Sequence, residues 1–175
     1  MLGTAKIFGW RVLLDRLPYR VNLERREILV SSNLCPLCNK DVETLQHLLI
    51  TCEVAQRLWL KCDNWVGLST VRSIDIINHF CSFHFSGLSR KANYAWRGMW
   101  LAVVKALWIH RNKVIFDVWI HKNKVIFDVS QVDEVEIFAV AQLHAWSWAK
   151  FSGLKLWETF AEWCMHPVDC LREIK

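Results

Sequence analysis

Glycine and proline are scarce, with six and three among 175 residues. That favours long helices over a β-sandwich or barrel, whose many tight turns draw on both residues. A long apolar run is missing as well. The most apolar stretch, Met99–Ile109, is cut by Lys105. It falls short of the roughly 20 residues that span a bilayer, so no membrane partner is expected. The N-terminus has no apolar run followed by small cleavage-site residues, so no secretory signal is expected there. Cysteine and histidine are present, but no local motif pairs them for nucleophilic catalysis, and no small-molecule substrate is expected.

What the chain has in excess is apolar and aromatic residues. The hydrophobic fraction is 53%, with 11 Trp, enough for a sizeable core. Each indole that enters that core needs an acceptor for its N–H. The net charge of +5 is unevenly spread. Residues 1–86 carry +2, residues 87–127 carry +7, and residues 128–175 carry −4. Only the middle block is a candidate for an anionic partner; a solvated helix face answered by the acidic tail fits equally well.

Apolar periodicity predicts a mainly α chain. A helix over 4–17 places Ile7, Trp10, Leu13, Leu14 and Leu17 at helical spacing, and Pro18 ends it. A second helix covers 21–29 and a loop covers 31–41. Asp41 caps a short helix through Ile50, with Glu43 in its first turn. A helix over 53–62 aligns Ala55, Leu58, Trp59 and Cys62. Residues 67–88 read as an irregular connector. The chain turns helical again at Ser89, and Ser130 with Asp133 opens another helix to about Ala149. The last twenty-odd residues are amphipathic at best. These readings divide the chain into an N-terminal domain at 1–66, the connector at 67–88 and a helical tail at 89–175.

One repeat stands out. Residues 108–118 read WIHRNKVIFDV and residues 119–129 read WIHKNKVIFDV, differing only at Arg111 and Lys122. Eleven residues make nearly three helical turns, so a duplication shifts helix phase by only about 20°. Elongation of one helix is the favoured expectation.

The strongest motif is Cys35-Pro-Leu-Cys38, followed by His47 and Cys52. Two Cys separated by two residues direct both sulfurs at one ion. A downstream His and Cys complete a tetrahedral shell, which predicts a single structural Zn2+. Four protein ligands leave no position for a reactive water, so hydrolytic chemistry at the ion is not expected. A redox Cys-x-x-Cys would need a βαβ context that is absent. Cys62 is a weaker competitor for the fourth position. Cys62, Cys81, Cys164 and Cys170 are scattered, which suits a reducing, intracellular compartment better than a disulfide framework. The His-x-x-x-x-Cys half resembles that of a retroviral-type zinc knuckle, although the gap from Cys38 to His47 is longer.

Residues Lys6–Pro18, Val21–Arg26, the CPLC stretch, Glu43-Thr-Leu-Gln-His47-Leu, Cys52 and Trp59 follow one another in an order that resembles the zinc-binding domain of plant non-LTR retrotransposon reverse transcriptases. The resemblance covers about residues 4–65. The Trp108–Phe116 segment looks like the helical tail that follows this domain in such polyproteins. The resemblance implies zinc ligands at Cys35, Cys38, His47 and Cys52, and an ancestral role beside a polymerase on RNA or single-stranded DNA. Tyr19 departs from it, since the family commonly has Thr there and a helix cap is lost. The tandem 11-mer is a second departure. No Asp-Asp pair is present for a polymerase, and no carboxylate cluster for ribonuclease H, so no enzyme activity is expected.

A nucleic-acid face, if present, is expected on the basic block. On one continuous helix Arg97, Trp100, Trp108, Arg111, Trp119 and Lys122 fall within about 100° of arc. Indoles there could stack on unpaired bases while cations meet phosphates. Core Trp flanked by solvated Arg and Lys is the competing reading, in which Trp-rich helices dock a protein partner or a second copy. His79, Cys81 and His84 lack a fourth ligand, and His110 and His121 lie too far apart along a helix to share an ion.

Overall fold

The computed structural model describes residues 2–68, 72–122, 133–151 and 159–175, with backbone alone at residue 2 and residues 117–122. The chain is mainly α, as its composition predicts. Eight α-helices form among the described residues: α1 (Leu2–Leu13), α2 (Arg20–Glu24), α3 (Glu53–Val66), α4 (Ile76–Cys81), α5 (Arg90–Lys122), α6 (Glu134–Phe151), α7 (Phe160–Met165) and α8 (Pro167–Arg172). A π-helical turn, His47–Thr51, precedes α3. The β-structure among the described residues is one isolated bridge, Leu34 with Val42.

The 33-residue α5 is the spine. At roughly 1.5 Å per residue it is about 50 Å long. It runs through the first 11-mer and into the second, as elongation predicts; residues 123–129 lie outside the described residues. Helix α6 packs along α5, and α1, α8 and the π-turn also rest on α5, while α3 packs on α6. One core extends from Ala5 to Ile174 through all three expected segments. The expected irregular connector contains α4, whose Asp75 cap accepts from the Asn78 N–H at 2.8 Å. The tail, doubtful in sequence, forms α7 and α8 and buries Trp163, Cys170, Leu171 and Ile174.

Helix α1 corrects the sequence reading twice. It stops at Leu13, because Asp15 turns into the left-handed region at φ 52° before Pro18 is reached. The stripe of large apolar residues faces solvent: Ile7 is 60% exposed, Trp10 56% and Leu14 45%. The buried side is the small-residue one, Ala5, Gly9 and Val12. A Cβ on Gly9 would sit 2.9 Å from Leu101 Cδ1, so the missing side chain is what lets α1 close on α5. Tyr19 is the N-cap of α2 without a side-chain cap bond, in keeping with a lost Thr. Its ring is buried instead, and its hydroxyl donates to Asp15 Oδ1 at 2.9 Å.

Four indoles of the interior find acceptors for their N–H groups, whereas Trp146 Nε1 is buried without one. Trp59 Nε1 donates to the Leu49 carbonyl at 2.8 Å, Trp65 Nε1 to that of Cys164 at 2.7 Å, and Trp163 Nε1 to that of Gln142 at 3.2 Å. Trp100 Nε1 donates to His79 Nδ1 at 2.9 Å. His79 is wedged against Trp59 and Phe83, and burial, reinforced by the Arg72 cation, pushes its pKa down to about 4. In the unfolded chain an imidazole titrates near its ordinary value of about 6.5. Between those values the unfolded chain binds more protons, so the His79 contribution is complete above about 6.5 and is lost as pH falls toward about 4. Melts recorded from pH 7 to pH 4 should therefore show a falling midpoint. His79→Gln, which still offers Trp100 an acceptor but does not titrate, should flatten that fall.

Candidate metal centre

The loop before the π-turn presents the first two sulfurs. The Cys35 N–H donates to the Asp41 carbonyl at 2.7 Å, the Asn39 N–H to the Cys35 carbonyl at 2.8 Å, and the Glu43 N–H to the Asn33 carbonyl at 2.7 Å. Asn39 takes the left-handed conformation, φ 54°, that such a reversal needs. Cys35 and Cys38 thus sit at the tip of a closed knuckle. Lys40 fastens its far side to α3 through Glu53 at 2.7 Å.

The π-turn supplies the other two ligands. Periodicity predicts an α-helix from Asp41 to Ile50, but Asp41–Glu43 is not helical and the turn that forms has the wider pitch. In an α-helix His47 and Cys52, five positions apart, would point about 140° away from each other. In the wider turn the Cys52 N–H donates to the His47 carbonyl at 2.7 Å, which brings the fifth residue back under the first. Thr44 Oγ1 caps the entry, accepting from the His47 N–H at 3.0 Å. Cys52 then leaves in extended conformation as the N-cap of α3.

One donor atom from each of Cys35, Cys38, His47 and Cys52 lies within 4.8 Å of the other three. The Cys35 and Cys52 sulfurs are 4.0 Å apart, and Cys38 Sγ is 3.3 Å from His47 Nε2. Zn–S bonds of about 2.3 Å and Zn–N bonds of about 2.0 Å imply tetrahedral edges of about 3.8 Å between sulfurs and about 3.5 Å from sulfur to nitrogen. The donor set therefore fits one zinc ion in chemistry and in size. Its surroundings fit too. His47 Nδ1 faces Thr51 Oγ1 at 3.4 Å and the Asp41 carboxylate at 3.9 Å, which leaves Nε2 for the ion. Cys35 and Cys52 are fully buried, and His47 is nearly so. The Cys35 thiol donates to Cys52, holding the Cys52 pKa down to about 6 and pushing that of Cys35 up; the first-turn amides of Val54 and Ala55 lower Cys52 further. One sulfur is thus poised as thiolate, the form a metal takes. Cys62 is excluded from the shell. It is buried in the core side of α3 beside Ala55, Leu58 and Trp59, and desolvation pushes its pKa up to about 12. The Cys35–Cys52 set is the one potential metal cluster among the described residues.

The expected nucleic-acid residues fare differently. Trp100 lies in the core, 1% exposed, as the partner of His79. Arg111 is 6% exposed and forks onto Glu43, Nε to Oε1 and Nη2 to Oε2, both at 2.7 Å. Both side chains are committed to partners inside the fold. Helical arc alone placed them together, and that side of α5 is covered by the π-turn and by α4. Trp108 is half-buried, with the Arg111 guanidinium 4.8 Å above its ring. Arg97 is half-buried over Phe80. The side chains of Trp119 and Lys122 lie outside the described residues.

Glu43 is the functional residue that sequence reasoning missed. It is fully buried, and besides Arg111 it accepts from the Arg20 N–H at 2.8 Å. It joins the start of α2, the zinc loop and α5 at one carboxylate. One signal was present in the sequence: the two 11-mers differ only at the paired position, where the second copy has Lys122.

Among the described residues no helix is long and apolar enough to cross a membrane. Residues 3–59 match the family model described as zinc-binding in reverse transcriptase. Searches of curated proteins and of solved structures find no match to the chain. The family match spans α1, α2, the knuckle, the π-turn and the first half of α3, and it contains all four clustered ligands. Residues 3–59 are thus similar to the zinc-binding domain of reverse transcriptases, and here they fold against a helical tail.

Proposed function

We propose that this chain is a non-catalytic, zinc-stapled module of retrotransposon origin that binds RNA or single-stranded DNA. The match of residues 3–59 to a domain of reverse transcriptases, enzymes that act on nucleic acid, carries the reading. Two further features support it. A Cys3His shell closed by protein ligands has no site for substrate or reactive water, so zinc here contributes folding energy rather than chemistry. The +7 block at 87–127 supplies cations, of which Arg90, Lys91 and Lys113 are exposed. Affinity for a single-stranded oligonucleotide should fall with salt, with a slope near −0.7 per phosphate neutralised on a log–log plot. Filter binding across a salt series measures that slope. No retention at low salt would refute the reading.

A second reading rests on one observation, the exposed Ile7, Trp10 and Leu14 stripe of α1. Such a stripe suits a protein partner or a second copy of the chain. It predicts concentration-dependent sedimentation that Trp10→Ala abolishes.

A further inference from the structure

Between α1 and α5 lies a groove of about 390 Å³, within the range of small-ligand sites. Its walls are largely apolar, with Leu101 and Trp148 among them. Two aromatic rings stand at its lip, Trp10 at 56% exposure and Tyr94 at 51%. The charged side chains in its lining are Lys6 and Arg97, both cationic, and no carboxylate joins them. Lys6 Nζ lies 6.0 Å from the centre of the Tyr94 ring. Arg97 spreads its guanidinium over Phe80, and its Nε is buried without a hydrogen-bond partner. The other arginines that reach the core are answered by acids, Arg72 by Asp63 and Arg111 by Glu43. Arg97 is not, and a buried donor left without an acceptor opposes folding until something supplies one. Arg16, 5.5 Å from the Trp10 ring, and the exposed Arg11 add positive charge beyond the lip.

We propose that this groove seats an unpaired base of a single-stranded nucleic acid, stacked on Trp10 and Tyr94, with the adjoining phosphates on Lys6 and Arg97. The inference rests on the nucleic-acid reading and centres it on Trp10, Tyr94 and Lys6, which helical arc did not suggest, with Arg97 and Trp100 shared between the two. Charge and shape choose the occupant. An apolar protein segment would cover Lys6 and Arg97 without neutralising either. A base offers a flat face of suitable size to the rings, and its backbone brings the anions that both cations lack. Trp10, one member of the stripe that α1 turns to solvent, is then part of a stacking site.

The test uses the full chain purified with its metal and a fluorescein-labelled 15-nucleotide oligouridylate at low salt. Trp10→Ala and Tyr94→Ala should each weaken binding about tenfold, the usual loss for one stacked base. Arg97→Gln should weaken it and reduce the salt slope by about 0.7, one phosphate's share. Arg172→Gln, which removes a cation from α8, should bind within about twofold of wild type. Helical circular dichroism checks each variant. Should Arg97→Gln fail to fold, the two ring variants decide, because both rings are half in solvent. Wild-type binding that survives both ring changes would overturn the groove while leaving the broader reading standing. No wild-type binding at low salt would overturn both. Self-association that Trp10→Ala abolishes, without RNA binding, would assign the groove to a second copy instead.

Discussion

Replacing Arg111 with Met should destabilise the protein by about 3–5 kcal/mol, the cost of leaving a buried carboxylate without its cation. Glu43 has no exposed surface and cannot turn to water for help. Its two oxygens are committed to the guanidinium fork and to the Arg20 N–H. Glu43→Gln should also be costly, because it strands a buried guanidinium. The double variant, Glu43→Gln with Arg111→Met, is the informative one. The new amide oxygen can still accept from the Arg20 N–H, and no buried charge is left over. It should therefore cost less than either single change, which a double-mutant cycle reads as a coupling energy. Arg111→Lys reproduces the residue found in the second 11-mer. A lysine brings the charge but only a point donor, so it should recover part of the loss and not all of it. Urea unfolding of the four variants measures these differences. Additive single effects would show that Glu43 and Arg111 do not act as a pair.

The second large effect concerns the metal ligands. Cys35→Ser with Cys38→Ser removes both donors of the knuckle at little cost in volume. Structural zinc sites of this class contribute about 10–16 kcal/mol to folding. That is comparable to the whole stability of an ordinary domain, about 5–15 kcal/mol. The knuckle and π-turn should therefore lose their structure, and proteases should cut within residues 31–52. The damage should spread, because the π-turn rests on α5 and Glu43 is held in register by the same loop. The thermal midpoint should drop, and added zinc should not restore it in the variant. An unchanged protease pattern and midpoint would contradict the role of these sulfurs.

How much of this could be read in the sequence depends on how far apart the interacting residues lie. The zinc ligands were legible because metal geometry is imposed over 18 residues and by a small set of residue types. The core face of α3 was legible for a similar reason, since Ala55, Leu58, Trp59 and Cys62 repeat at the helical period and all are buried. Helix α1 misled because periodicity marks large apolar residues, whereas close helix packing selects small ones. Ala5 and Gly9 carry no signal until Leu101 is seen across from them. The Glu43–Arg111 pair spans 68 positions, and its one mark in the sequence is the Arg111 versus Lys122 difference between the two 11-mers, which does not point to Glu43. Glu43 looked like a first-turn acid of a helix, and Arg111 like one more cation in a basic block. The wide turn at His47–Thr51 was illegible for another reason. Its sequence suits an ordinary helix, and the demand that His47 and Cys52 converge is what favours the π geometry.

The central claim is that Cys35, Cys38, His47 and Cys52 hold one zinc ion as the staple of this fold. Metal analysis of the purified, folded protein by inductively coupled plasma mass spectrometry tests it most directly. The claim predicts one zinc per chain, and none after Cys35→Ser with Cys38→Ser. A zinc content near zero in protein that is fully helical and melts cooperatively would contradict it.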